Sequence, residues 1–332
     1  MLLPDAIHDH ARPCRRTGAR RGVTGKVLAP GLCLLLGTCT APGPSPTPAP
    51  TPFPGTASCE ACPSEPCTRP CLPALEAEGP APLAPYSRGA CPALAPGRNR
   101  DFGYDRRSFL LYVPASTRGP FAVLFLWGAG GPAEGIAPIL AGHYDEDGFI
   151  LVVPDGDPPR YPLTWDMDAR GSDADLRFFD DVLACLDEQY PVDRRRVHTT
   201  GYSTGAVFSA YLVGHRSLVL ASFSSYSGGD QSPSGERLVP MPPHPIPGLL
   251  YHGGDADVEW AGNAATLSLA ARMAANGQFT VVCDHGRGHV VGSSTQEMWG
   301  FLLAHPFSPG NTAAWAATGI DGKLPAYCQV VR

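Results

Sequence analysis

From about residue 91 onward the chain alternates short apolar runs with stretches of helical periodicity. Residues 121–127, Phe-Ala-Val-Leu-Phe-Leu-Trp, are uninterrupted apolar positions. Such a run is too short for a stable helix and suits a strand buried on both faces. Residues 149–153 make a second run, closed by the turn signal Pro154-Asp155-Gly156. Residues 108–113 read as a strand ended by Pro114, and shorter strands are expected at 197–200, 221–226, 248–251 and 279–283. Between them, residues 175–189 place Leu176, Phe179, Leu183 and Leu186 at helical spacing, and 204–215 read as a further helix. Strands alternating with helices predict an α/β fold, with a mostly parallel sheet covered by helices on both faces.

Upstream the texture is different. Arg15, Arg16, Arg20, Arg21 and Lys26 precede a short apolar stretch at 27–36, and Cys39 follows among small residues. A basic region, a short apolar region and a small-residue site make a signal peptide, expected over residues 1–39. Leu36-Gly37-Thr38-Cys39 also resembles a bacterial lipoprotein cleavage box, which would anchor the protein to a membrane through a lipid on Cys39. Thr38 departs from the usual Gly or Ala, and plain cleavage with a soluble product is the alternative. From Pro42 to Pro54 every second residue is proline, so 40–57 read as an extended linker unable to pack a core. Residues 58–90 stay rich in Pro, Ala and Cys and read as a spacer with local crosslinks, which leaves 91–332 as the main folded domain.

Composition sharpens this organisation. Cysteine is abundant, with 11 in 332 residues, which fits an oxidising compartment. Cys59, Cys62, Cys67 and Cys71 crowd into 13 residues studded with Pro63, Pro66 and Pro70. That spacing favours disulfides over a zinc site, whose two knuckles need a longer intervening loop. Cys91, Cys185, Cys283 and Cys328 fall in the domain at 91–332 and can form two bridges, with the pairing left open. The net charge of −6 and the lack of a basic run in the body of the chain weigh against nucleic acid as a partner.

The strongest chemical signal runs from Arg196 to Tyr211 and contains Gly201-Tyr202-Ser203-Thr204-Gly205. A strand, then Gly-x-Ser-x-Gly, then a helix is the context of a nucleophile elbow, in which a sharp turn lifts a serine hydroxyl above the sheet. Ser203 is the candidate nucleophile. The strand at 121–127 ends in Gly128-Ala129-Gly130-Gly131, a turn that can aim a backbone N–H into the site. The amides of Ala129 and Thr204 are the expected oxyanion donors. The acid and the histidine are expected to follow the serine in the chain. His289 lies in a loop directly after the last strand, with His285 as its rival in the same loop, and His252 more plausibly shapes a turn. The acid is expected after the strand at 248–251, where Asp255, Asp257 and Glu259 all qualify by spacing. Asp175, Asp180 and Asp181 read as helix caps and surface charges, with a site-shaping role for Asp175 as the alternative. Trp165 reads equally as packing or as a flank for the substrate.

Taken in order, these pieces resemble the secreted bacterial polyhydroxybutyrate depolymerase and feruloyl esterase group of α/β-hydrolases. The matching segments are Arg107 to Pro114, the turn at Gly128, Gly148 to Gly156, Trp165, Tyr190 to Val197, the elbow, His252-Gly253-Gly254 and Gly288-His289. The resemblance implies Ser203 as nucleophile, His289 as base and an acid a few residues past His252-Gly253. Three positions depart from the family. Trp127 stands where a histidine is usual, Thr204 follows the serine where alanine is usual, and Ala256 occupies the usual acid position. A shift of one residue gives Asp255 or Asp257, and Val258 favours Asp257 by its likeness to related sequences.

The expected activity is hydrolysis of carboxylic esters through an acyl-enzyme, with no metal or organic cofactor and with a small or polymeric ester as substrate. Two other readings use the same residues: a serine peptidase on the same fold, and a surface binding protein that keeps the fold without the activity.

Overall fold

A computed structural model describes residues 79–332 apart from 116–117, 162, 168–172, 233, 260–261, 292–294 and 311. The expected signal segment with Cys39, the proline linker, and Cys59, Cys62, Cys67 and Cys71 lie outside the described residues.

The fully apolar run forms β3 (Phe121–Trp127), and every one of its residues is buried. Alternate side chains take opposite faces, as the twofold period of a strand requires. Val123, Phe125 and Trp127 enter one core layer, whereas Ala122, Leu124 and Leu126 enter the other. Parallel to β3 on either side run β4 (Phe149–Pro154) and β5 (Val192–Gly201). The sheet continues in parallel through β6 (Ser222–Tyr226), β7 (Gly248–His252) and β8 (Thr280–Asp284). Antiparallel strands close both ends: β1 (Gly97–Phe102) and β2 (Arg107–Tyr112) beyond β4, and β9 (Cys328–Val330) beyond β8. Among the described residues the order is β1-β2-β4-β3-β5-β6-β7-β8-β9.

Helices cover both faces, and the single turn α1 (Tyr144–Asp147) precedes β4. One layer takes Phe179, Val182, Leu183 and Leu186 from α2 (Ala174–Gln189), Phe208 and Leu212 from α3 (Thr204–Arg216), and Leu269 and Met273 from α4 (Gly262–Ala275). The other takes Met298, Trp299, Phe301 and Leu302 from α5 (Thr295–Ala304). Among the described residues two disulfides join Cys91 to Cys185 and Cys283 to Cys328. The first fastens the entering chain to α2, and the second ties β9 to the end of β8.

Two expectations need correction. Residues 79–90, expected to belong to the spacer, pack on the domain. Tyr86 is buried, Ala81 donates to the carbonyl of Leu218, and Ser87 donates twice to Asp181 at 2.7 Å. The acidic residues of α2 are not surface caps either. Asp175 and Asp181 are buried, and Asp180 accepts a forked contact from Arg216 at 2.8 and 3.0 Å. Each faces a donor supplied by another segment, which is what allows a carboxylate to leave water.

Candidate active site

Parallel strands present their C-terminal ends along one edge of the sheet, and the loops after β3, β5, β7 and β8 converge there. The sharpest is the two-residue link between β5 and α3. Ser203 adopts φ 55° and ψ −121°, a strained conformation for a residue with a side chain and one that costs about 1–3 kcal/mol. The surroundings enforce it. The Ser203 amide donates to the Tyr226 carbonyl at 2.9 Å, and the Tyr202 amide to the Trp127 carbonyl at 3.1 Å. Both flanking glycines are required by close approach. A Cβ on Gly201 would lie 2.2 Å from the Gly205 carbonyl oxygen, and one on Gly205 would lie 2.1 Å from that of Trp127.

The loop after β8 returns His289 to this turn. Its Nε2 lies 2.9 Å from Ser203 Oγ, and its Nδ1 lies 2.7 Å from Asp257 Oδ1. These contacts assign the proton to Nδ1 and leave Nε2 to accept from the serine. The loop is held by backbone contact with the end of β7. The Gly288 amide donates to the Gly253 carbonyl at 3.0 Å, and a Cβ on Gly253 would sit 2.0 Å from the Gly288 carbonyl oxygen. That packing accounts for glycine after His252, and a φ of 72° accounts for glycine before His289. The Tyr202 hydroxyl, on the elbow itself, donates to the His289 carbonyl at 2.6 Å.

Asp257 reaches the histidine because the chain after β7 makes a 3-10 turn, Gly254–Ala256, that Asp257 terminates. The turn carries it inward, where it is buried, and its second oxygen accepts the Gly253 amide at 3.1 Å. Burial pushes the Asp257 carboxyl up, but the hydrogen bonds from His289 and the Gly253 amide help outweigh that and hold it below its ordinary value. Asp255, one side of the turn earlier, is exposed and accepts a long 3.4 Å contact from Asn263. Glu259 is exposed as well. His285 points elsewhere, accepting the Arg287 amide at 3.2 Å, and His252 accepts the Gly254 amide at 3.2 Å and so shapes the turn.

The segments expected to carry the oxyanion donors also meet. Thr204 Oγ1 donates to the Ala129 carbonyl at 2.9 Å, which ties the start of α3 to the glycine-rich turn. That tie explains a hydroxyl at 204. Trp127 stands outside the site: its ring is buried against Phe208 and Trp165, and Nε1 donates to Thr199 Oγ1 at 2.9 Å. Trp165 is buried too and donates to the Gly128 carbonyl at 2.9 Å. The side-chain ties made by Tyr202, Thr204 and Trp165 were not signalled by any motif.

The crystal structure of native pOPH superimposes with a TM-score of 0.58 over 73% of this chain and 97% of that one, at 19% identity. Native sOPH gives 0.54 over 73% and 96%, also at 19% identity. The chain has the α/β-hydrolase fold. A strand, a Gly-x-Ser-x-Gly turn and a helix make the elbow pattern, and here β5, the turn at Ser203 and α3 form it. No protein-family model matches the sequence. A 114-residue stretch is 25% identical to a bifunctional acetylxylan esterase/xylanase of Neocallimastix patriciarum, covering 34% of this chain and 16% of that protein.

Proposed function

We propose that this protein is an exported serine esterase. The observation that carries the reading is the continuous chain of hydrogen bonds from Ser203 through His289 to Asp257, built on a strained elbow of an α/β-hydrolase sheet. His289 Nε2 takes the serine proton as Oγ attacks an ester carbonyl, and buried Asp257 steadies the imidazolium that forms. The amides of Ala129 and Thr204 receive the oxyanion. His289 then delivers its proton to the leaving alcohol. Water, activated by the same imidazole, releases the acid and restores Ser203. The partial match to an acetylxylan esterase/xylanase supports an ester as substrate. Export is supported by the two disulfides, which need an oxidising compartment, and by the basic and apolar N-terminal pattern ending at Cys39. Anchorage by a lipid on Cys39 is part of this proposal, and a mature N-terminus at residue 39 carrying acyl mass would support it.

A fluorescent organophosphonate tests the reading. The wild-type protein is expected to label at Ser203, to hydrolyse short-chain or phenolic esters, and to leave peptide anilides intact. Ser203→Ala should lose labelling and turnover, the latter by on the order of a millionfold. Labelling that survives in Ser203→Ala removes Ser203 from the site, and cleavage of anilides in preference to esters replaces the esterase with a peptidase.

A further inference from the structure

We infer that Trp165 is a positioning residue for the oxyanion hole: its indole N–H holds the Gly128–Ala129 peptide in the orientation that presents the Ala129 amide to the reacting carbonyl. This inference rests on the serine-esterase reading and adds a residue to it.

The geometry is direct. Trp165 Nε1 donates to the Gly128 carbonyl at 2.9 Å with the ring fully buried. That carbonyl belongs to the same planar unit as the Ala129 N–H. Among the described residues the only cis peptide precedes Pro120, so this unit is trans. In a trans peptide the C=O and N–H point in opposite directions, and fixing one fixes the other. The next carbonyl, of Ala129, is held separately by Thr204 Oγ1 at 2.9 Å and Thr164 Oγ1 at 3.2 Å. Both edges of the turn are therefore pinned. Otherwise this stretch would be loose, since Gly130 and Gly131 sit at φ 147° and 74° and offer no side chain to pack.

Trp165 is itself braced from behind. The amide of the next residue, Asp166, donates to Asp175 Oδ2 at 2.7 Å, and Asp166 Oδ2 accepts the Ala174 amide at 2.8 Å. Asp175 pairs with Arg107 at 2.9 Å, and the Arg107 guanidinium lies 5.7 Å from the Trp165 ring. The loop carrying the indole is thus anchored to β2 and α2, and the turn it holds belongs to β3. Donor placement matters because an oxyanion donor works only within a narrow range of position, and displacement by about 1 Å costs on the order of a hundredfold.

A second indole supplies the control. Trp127 is buried in the same aromatic cluster, 5.0 Å from Trp165 between ring centres, but its N–H is spent on Thr199 and not on the turn. Trp165→Phe and Trp127→Phe each remove one buried indole N–H, and only the first releases the Gly128 carbonyl. With a p-nitrophenyl ester, Trp165→Phe is expected to lower kcat tenfold to a hundredfold with KM within twofold of wild type. Inhibition by a trifluoromethyl ketone, whose adduct with Ser203 carries an oxyanion, should weaken by the same factor. Trp127→Phe should keep both within threefold. Replacing the Trp165 indole by benzothiophene, which keeps the bicyclic shape and lacks the N–H, covers the case in which phenylalanine unfolds the cluster, and it should reproduce the loss. Wild-type kcat and inhibition in either Trp165 replacement overturn the inference, as does a fall of equal size in Trp127→Phe or a change confined to KM. A wild-type protein that neither turns over esters nor binds the ketone overturns the serine-esterase reading, and the role of Trp165 falls with it.

Discussion

Asp255 and Asp257 are two residues apart, both acidic and both on the loop after β7, yet only one meets the histidine. The difference is the single 3-10 turn Gly254–Ala256, which carries Asp255 on its exposed side and delivers Asp257, at its end, to a buried position 2.7 Å from His289 Nδ1. Asp257→Asn should lower kcat by on the order of ten-thousandfold, because an amide no longer selects the tautomer that leaves Nε2 free to accept. Asp255→Asn should stay within a few-fold of wild type, since it loses only a long exposed contact to Asn263. Steady-state kinetics of the two variants decides it, and the reverse ranking would reassign the acid. The same carboxyl also gives a pH expectation. Its hydrogen bonds hold it below the ordinary 3.8, so it stays ionised as pH falls toward 4. Whatever stability and orientation it contributes is present above its unfolded value and is lost only as pH falls through its lower folded value. A profile of kcat/KM against pH should therefore show no limb from Asp257 above about pH 4, and a carboxylate limb near pH 5 would contradict the hydrogen bonding at this group.

Among the elements, those with a clear apolar period were legible in the sequence. The strand at 121–127 matches β3 residue for residue, and α2 and α3 differ from expectation by one residue at a single end. Missed elements lacked that contrast. β1 reads Gly-Arg-Asn-Arg-Asp-Phe because it is an edge strand with most side chains in water. The first half of β5 carries the charged residues Asp193 to Arg196, which fall where the register with β3 is irregular, so no apolar period marks them as strand. In α4 the buried positions are largely alanine, glycine and threonine, too small to mark an apolar face against their neighbours. The elbow and the histidine loop were legible because glycines at fixed offsets are needed for close backbone approach. Choosing between Asp255 and Asp257 depended on turn geometry that residue types do not encode. The ties from Tyr202, Thr204 and Trp165 join loops distant in sequence, so no local pattern announces them. β9 is the least self-sufficient element: it has three residues on an edge, and the Cys283–Cys328 bridge holds it against β8. The bridge spans 45 residues of chain, for which loop-closure entropy gives about 4 kcal/mol of stabilisation. Cys328→Ser should lower the urea-unfolding free energy by up to that amount while esterase turnover below the transition is largely kept. An unchanged unfolding curve would show that β9 is dispensable.

At the scale of the whole molecule, the layer beneath α5 contains polar groups that set how the fold responds to acid. His198 lies on β5, fully buried, with Nδ1 2.9 Å from Ser222 Oγ. His305 follows α5, buried against Phe301 and Trp315, with Nδ1 2.7 Å from the Phe301 carbonyl. Burial, reinforced by Arg196 and His305, lowers His198 to about 3, and burial lowers His305 to about 4. Both are neutral in the folded state and would gain a proton near 6.5 once unfolded. The unfolded chain therefore binds more protons below pH 6.5, and stability falls as pH drops from there toward 4, by about 1.4 kcal/mol per pH unit for each group. Asp175 acts in the opposite sense. Burial outweighs its pairing with Arg107 and raises it from 3.8 to about 6, so the folded state takes up that proton first and gains stability as pH falls from about 6 to about 4. Two histidines against one aspartate leave a net loss. Together these three groups should lower the free energy of unfolding by about 2 kcal/mol between pH 7 and pH 5, measured from urea transitions at each pH. His198→Asn should make that dependence shallower by about 2 kcal/mol over the same interval, whatever its effect at pH 7, because the variant has one fewer group that must charge on unfolding. A slope unchanged in the variant would assign the acid sensitivity to other groups.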